Sequence, residues 1–124
     1  MSQTPSCACG AAPTLIFACS GAADVGAIAD HAARRLTASG WGKMFCLAGI
    51  GGKVPGILKT TESAGRILAI DGCPLDCARL SLEQAGFKSV QHLRLTDIGL
   101  EKGKSPLSED YVVKAVTAAQ AKLG

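Results

Sequence analysis

The chain has 124 residues, room for one hydrophobic core, and its 48% apolar and 19% charged residues exclude an intrinsically disordered chain. Its net charge of +3 is spread over 13 basic and 10 acidic residues, and aromatics are only 4%. With no basic grouping larger than Arg34-Arg35 or Lys102-Gly103-Lys104, a nucleic-acid interface of basic stripe and stacking rings is excluded.

Residues 1 to about 12, rich in Ser, Thr, Pro and Gly, are expected to form a flexible lead-in, and 13–124 a single α/β domain. The start has no basic n-region, and the apolar run Leu15–Cys19 is far too short for a signal peptide core or a membrane span. A cytoplasmic protein with no membrane contact is expected. Leu15 to Cys19 reads as a first strand, covered on both faces. Ser20 or Asp24 is the candidate N-cap of a helix over about 22–38, where Val25, Ile28, Ala29, Ala32 and Leu36 recur at helical spacing and Gly40 can end the helix.

The cycle then repeats. Lys43 to Ala48 reads as a second strand ending at Gly49-Ile50-Gly51-Gly52, and about 54–64 as a weaker helix with Ile57 and Leu58 inward. Arg66 to Asp71 is the third strand, followed by a turn at Gly72-Cys73-Pro74 and a helix over about 76–85 closed by Gly86. Val90 to Leu95 alternates as an edge strand would, and a polar loop leads to a last helix opened by Ser108-Glu109-Asp110. Strands alternating with helices imply a three-layer, Rossmann-like α/β fold with a four-stranded, mostly parallel sheet, for which 2-1-3-4 is the preferred strand order.

In a reducing cytoplasm, six cysteines (7, 9, 19, 46, 73 and 77) point to metal binding or thiol chemistry rather than a disulfide framework. In this fold Cys19, Cys46, Cys73 and Cys77 all fall at the carboxyl ends of strands, where open α/β sheets place their sites. Strands lie about 4.8 Å apart, and sulfurs around a tetrahedral zinc lie roughly 3.8 Å from one another, so neighbouring strand ends and one helix turn can supply the shell. Pro74 stiffens the turn that holds Cys73. Cys77, near a helix N-terminus, is expected to favour the thiolate that a metal or a redox reaction requires. Cys46, inside an apolar run, has a competing reading as a buried packing residue. The metal expected is zinc. An iron–sulfur cluster is the less favoured cofactor, and a thiol redox enzyme or metal/sulfur carrier using Cys73 and Cys77 is the alternative function.

Other features carry less. Cys7-Ala8-Cys9 is either a metal-capture or redox arm or a plain exposed lead-in. Gly49-Ile50-Gly51-Gly52-Lys53 lacks the spacing of a nucleotide-binding loop and reads better as a tight turn. Val25 stands where a phosphatase loop headed by Cys19 needs arginine. Asp71 and Asp97 are acid/base or metal-supporting candidates, or caps. His31 and His92 have no partner at ligand spacing and read as surface or packing residues.

Three stretches, Cys19-Ser20-Gly21-Ala22-Ala23-Asp24-Val25-Gly26, Cys46-Leu47-Ala48-Gly49-Ile50-Gly51-Gly52 and Asp71-Gly72-Cys73-Pro74-Leu75-Asp76-Cys77-Ala78, resemble the DGC-domain proteins. These are small bacterial and archaeal proteins described as zinc-binding and named for their Asp-Gly-Cys motif. The resemblance covers about residues 14–121. It implies zinc ligation by Cys19, Cys46, Cys73 and Cys77, and it names a site rather than a reaction.

Overall fold

The computed structural model describes residues 12–124. β1 (Thr14–Ala18) has its last four residues buried, as its unbroken apolarity requires. On one side it pairs in parallel with β2 (Lys43–Met44), on the other with β3 (Arg66–Asp71), which pairs in parallel with β4 (Gln91–Arg94). The order is β2-β1-β3-β4, as expected.

Side chains alternate between the two faces of this sheet. Ile16, Ala18, Leu68, Ile70 and Leu93 pack against α1 (Asp24–Ala38) and α5 (Glu109–Leu123). Leu15, Phe17, Ile67 and Ala69 pack against Ile50 of α2 (Leu47–Gly51), Ile57 and Leu58 of α3 (Pro55–Glu62), and Ala78 and Leu82 of α4 (Cys77–Gln84). The result is three layers, with every strand entering a loop at the same end of the sheet.

Three expectations are corrected. The second strand stops at Met44, apart from one more ladder bond from Phe45 N–H to Ile16 O at 2.9 Å. The glycine run is not a turn but helix α2: Leu47 and Ile50 face the layer below, and a Cβ on Gly49 would come 2.7 Å from Ile57. The N-cap of α1 is Ala23, which makes no side-chain capping bond. Ser20 instead adopts φ +51° and donates to Asp30 at 2.8 Å, while Asp24 accepts the N–H groups of Gly103 at 2.9 Å and Ser105 at 3.1 Å. Gly40, at φ +82°, follows the end of α1 as expected.

Candidate metal centre

The loop leaving β1 and the loop leaving β3 meet over the N-terminus of α1. Gly72 makes this approach possible, because a Cβ there would lie 2.7 Å from the Val25 backbone. The two loops enclose a cavity of about 460 Å³ lined by Cys19, Cys73 and Cys77, with Lys102 at its edge. The Asp24 bonds to Gly103 and Ser105 anchor the loop that carries Lys102. Cys19 also borders a wider groove of about 810 Å³, which contains Cys46, the N-cap of α2.

Three of the four expected ligands therefore share one cavity, and the fourth, Cys46, lines the neighbouring groove that Cys19 also borders. Two sulfurs receive backbone donors: Gly72 N–H points to Cys19 Sγ, and Gly49 N–H to Cys46 Sγ, both at 3.4 Å. A sulfur that receives an N–H in this way acts as an acceptor, the role a metal-binding sulfur also plays. No three of these sulfurs lie within 4.8 Å of one another among the described residues. A closed shell thus requires side-chain rotation into the cavity. Cys46 is exposed rather than buried, which removes the packing reading. Cys77 departs from expectation too: burial at the cavity wall pushes its thiol up, reinforced by Asp71, Cys19 and Cys73 and opposed by Lys102. Cys7 and Cys9 lie outside the described residues.

The sequence reading missed a second constellation. Asp71, Asp76 and His92 bring ligand atoms within 4.8 Å of one another. His92 is not a bland strand residue, because its Nε2 lies 2.9 Å from Asp71 Oδ2. The only signal for this in the sequence was the placing of Asp71 and His92 on two strands expected to be adjacent. The oxygens are already engaged by N–H groups. Asp71 accepts from Ala78 and Arg79, and Asp76 from Arg94 at 2.8 and 2.5 Å and from Arg79 at 3.1 Å. Two guanidinium groups supply the positive charge a metal would bring, so this is a hydrogen-bonded ion network. Arg94 first and Arg79 after it, working against burial, which raises it, hold the Asp76 carboxyl down at about 2. Asp97 is 3.5 Å from Arg94 in a 3-10 turn after β4. No described helix is long and apolar enough to cross a membrane.

A four-stranded parallel sheet with a cavity lined by Cys19, Cys73 and Cys77 beyond its carboxyl edge defines a small α/β protein. The chain belongs to the DGC-domain family, whose model matches residues 15–119. It is also 40% identical over 88 residues to the anaerobic and virulence modulator AnvM of Pseudomonas aeruginosa PAO1, spanning 71% of this chain and 67% of that protein. No solved structure matches the chain.

Proposed function

We propose that the chain is a cytoplasmic zinc-binding protein whose ligands are Cys19, Cys46, Cys73 and Cys77, with a structural or regulatory role. The observation that carries this reading is the shared cavity of Cys19, Cys73 and Cys77, with backbone donors aimed at Cys19 and Cys46. Thiolates suit zinc, and four of them leave no open coordination position for catalysis. A regulatory role also accords with the name of the relative, a modulator. A thiol enzyme built on Cys73 and Cys77 needs a lowered thiol pKa at rest, and the upward shift at Cys77 weighs against it.

Elemental analysis of protein purified without added metal, with thiol counting, tests the reading. About one zinc per chain is expected, and Cys73→Ser should lose it. Full zinc content in Cys73→Ser would overturn the assignment. A brown protein after anaerobic preparation would replace zinc by an iron–sulfur cluster.

A further inference from the structure

The network around Asp71 adjoins the metal ligands without including one. Ala69 and Asp71 pair with His92 and Arg94 across β3 and β4, so all four side chains share the sheet face covered by α4. This face of the edge strand is therefore not open to solvent: the side chain of His92 is 18% exposed.

α4 has eight residues and begins at Cys77. A helix this short is marginal by itself, and its first N–H groups need partners. Its N-cap, Asp76, makes no capping bond, since its carboxylate is committed to Arg94 and Arg79. The partners come from Asp71 instead, 1% exposed at the end of an inner strand. Its Oδ1 accepts Ala78 N–H at 2.7 Å, and its Oδ2 accepts Arg79 N–H at 3.1 Å. A carboxylate only accepts, so His92 carries a proton on Nε2 and donates to the same Oδ2 at 2.9 Å.

We propose that His92 is a positioning residue for Cys77, acting through Asp71 on the first turn of α4. The inference rests on the metal-binding reading above. His92 and the two helix N–H groups together set the plane of the Asp71 carboxylate. That plane places Ala78, and with it the adjacent Cys77. Removing the donor leaves a buried carboxylate short of one partner, free to turn and to release the helix start. Metal–thiolate bonds tolerate little displacement, so the effect is read at the metal.

The test compares the full chain with His92→Leu, which fills the space without a donor, and His92→Gln, which restores an N–H. Zn2+ is titrated against a chromophoric chelator, and Co2+ spectra report the coordination geometry. His92→Leu should bind Zn2+ about 10–100-fold more weakly and alter the Co2+ d–d bands, while His92→Gln stays within about threefold of the parent. Asp71→Asn, which removes the oxygen shared by His92 and Arg79, should reproduce the His92→Leu result if that variant does not fold. In metal-free protein, amide exchange at Ala78 and Arg79 should quicken in His92→Leu relative to Ala115 in α5. Unaltered affinity and spectrum in His92→Leu, equal impairment in His92→Gln, or unchanged exchange would each overturn the proposal. A parent chain that takes up neither metal would instead sink the metal-binding reading.

Discussion

Gly72 donates its backbone N–H to Cys19 Sγ at 3.4 Å, joining the loop that ends β1 to the loop that leaves β3. The bond is short-ranged in space but spans 53 positions in sequence. It depends on Gly72 lying against Val25 with no side chain between them.

Gly72→Ala should therefore act on the fold and the site together. The added Cβ meets backbone, which cannot swing aside as a side chain does, and a cost of about 2–3 kcal/mol is expected. Thermal denaturation should show a Tm lower by roughly 5–15 °C. Gly56→Ala is the control. Nothing lies within 4 Å of a Cβ in that α3 position, and alanine there should stabilise by about 0.5–1 kcal/mol. A Gly72→Ala variant that melts with the parent would refute the close approach.

The Asp76–Arg94 pair should appear in acid. Arg94 lowers the Asp76 carboxyl from the ordinary 3.8 to about 2. Ionised Asp76 thus adds stability on the order of 2 kcal/mol. This is fully present above the unfolded pKa and is lost as pH falls through the folded one. The stability difference between the parent and Arg94→Gln should be constant above about pH 4.5 and shrink toward pH 2. Urea titrations at several pH values measure it, and a difference that grew in acid would contradict the assignment.

Thiol accessibility separates the four cysteines. Cys46 is exposed and its thiol receives Gly49 N–H, whereas Cys77, exposed as a residue, carries a thiol pushed up by partial desolvation against the cavity wall and by neighbouring negative charge. Iodoacetamide followed by mass spectrometry of metal-free protein should label Cys46 first, then Cys77, with the half-buried Cys19 and Cys73 slower. Zn2+ should protect all four. Labelling of Cys46 that is indifferent to Zn2+ would remove it from the ligand set.

Asp24 should govern the loop that carries Lys102. Asp24→Ala removes the acceptor for Gly103 and Ser105, and amide exchange at both positions should quicken while the α1 interior is unaffected. Protection that persisted at Gly103 would show that the loop is held by other contacts.

Much of the fold was legible in short-range patterns. Runs such as Leu15–Ala18 and Ile67–Ile70 are apolar on both faces because helices cover both sides of a parallel strand. Val25, Ile28, Ala32 and Leu36 mark the one buried face of a helix. The second strand is expected to run on to Ala48 because Phe45, Cys46 and Leu47 are apolar in either conformation, and only contact with Ile57 of α3 shows that Gly49 belongs to a helix. At Ser20 and Asp24 a polar side chain at a helix start signals a cap, but in the fold Ser20 donates to Asp30, and Asp24, besides accepting Val25 N–H at 2.7 Å, holds Gly103 and Ser105.

By itself, the sequence determined the element types apart from α2, a mostly parallel sheet, and the placing of Cys19, Cys46, Cys73 and Cys77 just beyond the carboxyl ends of strands. Periodicity and strand-end position are properties of neighbouring residues and survive without coordinates. Tertiary structure alone decided that Cys19, Cys73 and Cys77 share a cavity while Cys46 lines the neighbouring groove that Cys19 also borders. It alone turned His92 from a strand residue into a donor to Asp71, 21 positions away. A hydrogen bond requires direction as well as proximity, and direction is set by the register of β3 against β4 and the seating of α4, which no local pattern encodes.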